Sequence, residues 1–436
     1  MIDTLYSTYL KSRTVTTDSR TITPGCIFFA FKGETFDGNA FAPQALEQGA
    51  ALCVISDERY KVDERCIVVE DVLTTLQQLA TLHRSHLTIP IIGITGTNGK
   101  TTTKELVHAV LAKKYRTHAT QGNFNNHLGV PLTLLAIPAD AEMAIVEMGA
   151  NHPGEIAALC KIAQPDFGLI TNVGWAHLEG FGSFEGVIRT KTELYRHLVS
   201  RKGHAFVNSD NDILTSQAAS IGLNTLSYGA SEKAQTRGHL VGSDPYMKFY
   251  IEDGDNVYSI QSQLLGNYNF DNAMAAAAVG RYFRVDLWDI KEAIEQYAPA
   301  NKRSQYKESG RNVLFLDCYN ANPSSMKVAL DNFTALPREN KVAMLGGMKE
   351  LGTDSRKEHE TIVTRLIESI TAGTLSQAVL VGPEFQGMNE GHEEVVQWFE
   401  NVGEAVKHYT ATPLSGATVL LKGSNSTKMW LLEDIL

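Results

Sequence analysis

A chain of 436 residues with 43% hydrophobic and 20% charged residues carries enough apolar material for two or three cores and too little charge for wholesale disorder. Its formal net charge of −10 excludes a nucleic-acid scaffold, which needs a basic face, yet allows a phosphate-bearing ligand held by a few cations and backbone N–H groups. The scattered thiols Cys26, Cys53, Cys66, Cys160 and Cys318 form no CxxC pair, no apolar run reaches the length of a membrane span, and the start MIDTLYSTYLKS is unlike a signal peptide; a cytoplasmic protein with reduced, buried cysteines is expected.

In chain order, the first 85 residues alternate short apolar runs with helical patterns. Strands are expected at 26–31 and 51–55, with a glycine-terminated helix at 41–49 between them. A second block, 86–300, opens with an apolar strand at 89–95, a glycine-rich turn and a helix at 102–112. Further strands at 143–147, 167–171 and 205–208 imply parallel βαβ units. A helix near 271–281 carries the stretch AMAAAAVG, which reads as tight helix packing. The third block, 301–436, places strands at 313–317, 342–345, 378–381 and 418–421 and reads as a second, Rossmann-like sheet. The expected class is α/β in three domains.

The strongest local signal is Gly93-Ile-Thr-Gly-Thr-Asn-Gly-Lys-Thr101, between an apolar strand and a helix. Glycines let successive N–H groups point at phosphate oxygens, Lys100 reaches the β- and γ-phosphates, and the Thr101 hydroxyl can ligate Mg²⁺. The strict pattern would put glycine at 94, where the chain has Ile94; its glycines fall at 93, 96 and 99. ATP is the expected nucleotide, contacted by Gly96, Thr97, Asn98, Gly99, Lys100, Thr101 and Thr102. Such a site needs a carboxylate on a neighbouring strand end for Mg²⁺, and Glu147 closes the run 143–146. His177 lies in another strand-end loop aimed at the same edge and is expected beside metal or phosphate. Lys191, by its own context, reads as a solvated helix lysine.

These segments resemble the Mur ligase family, which adds successive amino acids to the UDP-linked precursor of the bacterial cell wall. The family's loop GxTGTNGKTT matches 93–102, and the resemblance covers essentially the full chain. TTDSRTITPGCIFFAFKGETFDG (16–38), GNFNNHLGVPLTLL (122–135), EMGANHPGEI (147–156) and NVGWAHLEGFGS (172–183) follow in family order. LDCYNANPSSMKVAL (316–330) and LGGMKELG (345–352) are similar to the branch that adds D-alanyl-D-alanine. The DYAH-type and DNPR-type segments of the diaminopimelate- or lysine-adding branch do not occur.

The resemblance implies an acid–amine ligation through an acyl phosphate, with ATP and Mg²⁺. The implied substrates are UDP-N-acetylmuramoyl-tripeptide and D-alanyl-D-alanine, and a monomer without nucleic-acid partners is expected. It makes Lys191 the family's CO₂-carbamylated lysine and puts Thr101, Glu147, His177 and Lys191 at metal positions, with Lys100, Lys191 and His177 as the catalytic set. Asn269 and Asn272, in GNYNFDN with tyrosine at the usual histidine position 268, fall beside the adenine; helix capping is their plainer reading. Arg303 and Asp317 fall at contacts to the γ-phosphate and ribose. Ser19, Arg20, Lys32 and Asp37 are implied as uridine-diphosphate contacts, and Asn125, Asn126, Asn320 and Asn322 as substrate contacts. Lys422 and Ser424 are further substrate-side candidates, and Asn425 stands where arginine is common in the family's KGS-R segment. Three alternatives remain: another amino-acid-adding member of the family; a folylpolyglutamate synthase-like ligase, which should lack the 16–38 block; and a non-catalytic nucleotide-binding regulator, which would not need Lys191, His177 and Glu147 together.

Overall fold

The computed structural model describes residues 1–300 and 302–436. The division expected at Asn301 therefore begins outside the described residues. Three sheets organise the chain. The first is a parallel sheet in the order β1 (Val15–Thr16), β2 (Ile27–Phe29), β3 (Leu52–Ile55), β4 (Cys66–Val68). Its two faces bury different sets: Ile27, Phe29 and Val54 join the helices Ile2–Ser12 and Val72–His86, while Cys26, Phe28 and Cys53 pack under Ala42–Glu47. All five cysteines are buried free thiols, as small apolar residues would be.

The central sheet runs β13-β12-β11-β10-β9-β8-β5-β7-β6. Its parallel part consists of β5 (Ile91–Thr95), β6 (Thr117–Ala119), β7 (Met143–Glu147), β8 (Phe167–Ile170), β9 (His204–Asn208) and β10 (Asn224–Gly229). β5 is flanked by β7 and β8 and is buried throughout, which explains its uninterrupted apolar run. The helix Asn269–Tyr282 packs its alanines on the helix Lys100–Ala112. A Cβ at Gly280 would lie 2.5 Å from Val110 Cγ1, so small side chains set the approach of the two helices.

The parallel βαβ reading misses the far edge. There β11 (Thr236–Ser243), β12 (Tyr246–Asp253) and β13 (Asn256–Leu265) form an antiparallel meander. These strands have one wet face, so their apolar residues alternate and no continuous run marks them. The hairpin turn at Gly254, with φ of 58°, is the signal that could have shown them.

The third sheet runs β14 (Gln305–Glu308), β15 (Val313–Asp317), β19 (Thr418–Lys422), β16 (Lys341–Gly346), β17 (Gln377–Val381), β18 (Val396–Phe399). All neighbours are parallel except the β14 edge. Helices Pro323–Thr334 and Ser355–Thr371 cover one face and Val402–Ala411 the other, as a doubly wound sheet requires. No helix among the described residues is long and apolar enough to cross a membrane.

Candidate active site

The turn between β5 and the helix Lys100–Ala112 curls because its glycines permit it. Gly96 has φ of 144° and Gly99 of 77°. A Cβ at Gly96 would sit 2.0 Å from Thr171 Oγ1, and one at Gly99 would sit 2.6 Å from Asn272 Oδ1. Gly93 lies inside β5 and serves packing against Met148 and Pro165 instead. The segment after β8 braces the turn: Asn98 N–H donates to Asn172 Oδ1 at 3.0 Å, and Thr171 Oγ1 donates to Asn98 O at 2.6 Å.

Lys100 Nζ folds back on the turn, donating to the carbonyls of Gly96 (2.8 Å) and Thr97 (3.0 Å). Burial lowers its pKa; Glu147 opposes this and Arg303 adds to it. Thr101 Oγ1 donates to Glu147 Oε1 at 3.2 Å, and Asn125 Nδ2 donates to the same oxygen at 2.8 Å. Glu147 is 1% exposed, yet its Oε2 has no protein partner. A buried carboxylate oxygen left unpaired beside a threonine hydroxyl fits a hard divalent cation such as Mg²⁺. Among the described residues no three His, Cys, Asp or Glu side chains converge in ligand geometry. The expected set therefore mixes a hydroxyl, a carboxylate, an imidazole and Lys191.

His177 occupies the left-handed region at φ 50°, a conformation that a non-glycine residue holds only where its surroundings impose it. Its Nδ1 pairs with the Glu350 carboxylate of the third domain. Burial lowers the His177 pKa, with Glu350 opposing. Lys191 corrects the solvated-helix reading: it is 2% exposed, and its Nζ donates to Ala150 O at 3.2 Å. Burial, and then the nearby Lys100, push its pKa well below the lysine range. The amine is therefore biased toward its neutral, nucleophilic form.

A cleft of about 1220 Å³ joins these parts. Residues 97–101, Asn125, Asn126, Glu147, His177, Arg303, Asn320 and Glu350 line it; Thr102 stands outside and Lys191 lies behind Ala150. The Arg303 guanidinium stacks 3.5 Å from the centroid of the Tyr319 ring. Asn126 Oδ1 caps the helix Gly129–Leu135, accepting from Gly129 N at 2.9 Å. Asn322 caps Pro323–Thr334 through Ser325 N, and its Nδ2 donates to Asn98 Oδ1.

The remaining candidates scatter more widely. Asn269 and Asn272 do not cap their helix: Asn272 accepts from Thr103 Oγ1 at 2.9 Å and donates to Asn269, which donates to Leu265 O. Asp317 pairs with the buried Lys422 and borders a narrow slot with Tyr268, whose hydroxyl shares a hydrogen bond with Ser304 at 3.0 Å. Lys32 lines a separate depression of about 320 Å³ with Ser56 and Asp71, and His127 borders both cavities. Asp37 is tied to Asn39, and Arg20 to Asp18. Ser19 and Arg20 line neither cavity. Asn425 starts an exposed turn. Sequence reading missed Glu350, Glu193 and the Trp175–Ser324 contact, where Trp175 N donates to Ser324 Oγ at 2.8 Å.

A phosphate-type loop on a parallel sheet, faced across a shared cleft by a second doubly wound sheet, is the arrangement of an ATP-dependent carboxylate–amine ligase, and the family comparisons assign the chain to that class. Family models agree along the chain: a Mur ligase family catalytic domain matches residues 11–84, a Mur ligase middle domain 94–280, and a Mur ligase glutamate ligase domain 302–425. The UDP-N-acetylmuramoyl-tripeptide–D-alanyl-D-alanine ligase of Bacillus subtilis (strain 168) is 38% identical over 97% of this chain and 92% of its own length. MurF from Acinetobacter baumannii superposes with a TM-score of 0.86 at 30% identity, covering 97% of this chain and 93% of that one. MurF ligase from Thermotoga maritima, solved in complex with ADP, gives 0.84 at 28% identity, covering 98% and 97%. The chain belongs to the Mur ligase family.

Proposed function

We propose that this protein joins the amine of D-alanyl-D-alanine to the terminal carboxylate of UDP-N-acetylmuramoyl-tripeptide, with ATP hydrolysed to ADP and phosphate, in the cytoplasm. The observation that carries this reading is the shared cleft: the phosphate loop, Glu147 and His177 face Arg303, Asn320 and Glu350 from the third domain. Relatives carrying that activity by name align over nearly the whole chain.

A carboxylate is a poor electrophile because its leaving group would be oxide. An acceptor oxygen therefore attacks the γ-phosphorus, the bond to the ADP oxygen breaks, and an acyl phosphate forms. The amine then attacks the carbonyl, loses a proton, and phosphate departs. Lys100 leaves its loop carbonyls to meet the β- and γ-phosphates, and Arg303 meets the γ-phosphoryl from the opposite wall. Thr101, Glu147, His177 and carbamylated Lys191 would hold Mg²⁺, which when bound neutralises charge on the transferring group. The neutral amine of Lys191 is the form that adds CO₂. In this reading residues 1–85 hold the UDP handle through Lys32, Asp37, Ser19 and Arg20, and residues 86–300 bind ATP with Asn269 and Asn272 near the adenine. Residues 301–436 close with Asp317 toward the ribose and Asn320 and Asn322 toward the amine substrate. Remote binding energy then fixes the reacting carboxylate.

The test is phosphate release from ATP with UDP-N-acetylmuramoyl-tripeptide, with and without D-alanyl-D-alanine, against D-alanine and glutamate as rival amines. Release requiring both tripeptide and dipeptide is expected. Release with a rival amine reassigns the branch, and none with any acceptor leaves a nucleotide-binding regulator.

A further inference from the structure

The helix Glu155–Ala163 begins at Gly154, which has φ of 86° and no side chain to cap the orphan N–H groups of the first turn. The acceptor comes from elsewhere in the chain. Glu193, the first residue of the helix Glu193–Arg201, spreads its carboxylate over that terminus. Oε1 accepts from Gly154 N at 2.9 Å and Oε2 accepts from Ala157 N at 2.8 Å. One carboxylate, 36 to 39 positions away in sequence, thus satisfies the two N–H groups that a capping box serves with two side chains.

What the cap holds is a wall of the candidate active site. Residues 149–154 follow Glu147 and form a turn pinned at its centre by Glu155, whose Oε2 accepts from Asn151 N (2.7 Å) and His152 N (2.9 Å). The Ala150 carbonyl of this turn accepts from Lys191 Nζ, two residues before Glu193. Gly149 N donates to Asn125 O at 2.7 Å, and the Asn125 amide in turn holds Glu147 Oε1. Gly180 closes the other side, since a Cβ there would lie 2.0 Å from Asn151 O. Glu193 thus ties the segment bearing Lys191 to the helix start that follows the turn after Glu147, and it does not line the cleft itself.

We propose that Glu193 is a positioning residue for the phosphoryl-transfer site, fixing the Lys191 amine and the Ala150 carbonyl in register with Glu147. The inference rests on the ligase reading and names a residue that sets its metal geometry. Groups that orient metal ligands from behind typically contribute 10- to 100-fold in metal affinity or activity.

The experiment compares the full-length protein with Glu193→Ala and Glu193→Gln. Mn²⁺, as a paramagnetic stand-in for Mg²⁺, is titrated by electron paramagnetic resonance in the presence of a non-hydrolysable ATP analogue; kcat, the KM for ATP and the melting temperature are measured alongside. Glu193→Ala should weaken Mn²⁺ binding by about 10- to 100-fold and lower kcat by a similar factor, with the KM for ATP within about twofold. Glu193→Gln keeps one carbonyl acceptor and should fall between. Unchanged Mn²⁺ affinity and kcat per folded molecule, whatever the melting temperature does, would reduce Glu193 to a structural cap and overturn the proposal. So would a wild-type protein that binds no Mn²⁺ with the analogue. If Glu193→Ala does not fold, Glu193→Gln is judged by the same two readouts. Absence of dipeptide-dependent turnover in the wild type would instead strike the ligase reading and leave the Mn²⁺ comparison standing.

Discussion

Asn322 Nδ2 donates to Asn98 Oδ1 at 2.8 Å, joining the cap of a third-domain helix to the tip of the phosphate loop. Nearby, Ser324 takes the Trp175 N–H and Glu350 meets His177, so three contacts fasten the two domains across the cleft. A domain opening would break all three contacts, one of them at the tip of the glycine-rich loop.

This coupling can be measured. A double-mutant cycle on Asn98→Ala and Asn322→Ala, read in kcat/KM for ATP, should show an interaction energy of about 0.5–1.5 kcal/mol. Asn322→Ala alone should cost a further ~1 kcal/mol of stability through its lost cap. Small-angle scattering should give a smaller radius with ATP analogue and acceptor than without them. Identical radii would remove the hinge.

At Gly96 the loop tolerates no side chain. With φ of 144° and Thr171 Oγ1 2.0 Å from any added Cβ, Gly96→Ala must displace the backbone of the loop. ATP-analogue binding by calorimetry should fall by at least about 10-fold, equivalent to ~1.4 kcal/mol, with far-UV circular dichroism unchanged. Wild-type affinity in this variant would mean that phosphate is bound elsewhere.

Glu147 offers one unpaired buried oxygen. Glu147→Gln preserves its volume and one carbonyl acceptor but removes the charge, and the Mg²⁺ concentration for half-maximal activity should rise by about 10-fold or more. Because that buried charge opposes folding unless it is balanced, the metal-free variant should melt no lower than the metal-free wild type.

Lys191 joins stability to function. Its pKa is depressed by burial, so between the native pKa and the normal lysine pKa the unfolded chain binds more protons than the folded one. Stability therefore rises with pH through that window, and the contribution is flat above the unfolded-state value. Lys191→Met removes the buried amine and should raise the melting temperature near neutral pH while abolishing turnover. Lys191→Ala should lose activity and recover part of it with short carboxylic acids, as a missing carboxylate-like ligand would require. A Lys191→Met variant that melts lower and flattens no part of the pH profile would contradict the burial argument.

Much of this was legible in the residues themselves. The run 143–147 coincides with β7 and the run 313–317 with β15, because strands buried on both faces leave unbroken apolar stretches. The phosphate loop was legible for a similar reason: its chemistry is local, requiring glycines, a lysine and a threonine at fixed spacing between a strand and a helix. The meander β11–β13 was not, since its half-wet strands carry only an alternation that polar substitutions blur.

The sequence by itself determined the fold class, the nucleotide loop and the family, all of which depend on short-range patterns or on motifs in a fixed order. Tertiary structure alone decided that Lys191 is buried rather than solvated, that Asn269 and Asn272 brace a helix pair, and that Asn98 meets Asn322 across 224 positions. Desolvation and hydrogen-bond partnership depend on which distant segments converge, and no local pattern records the distance between residues far apart in the chain.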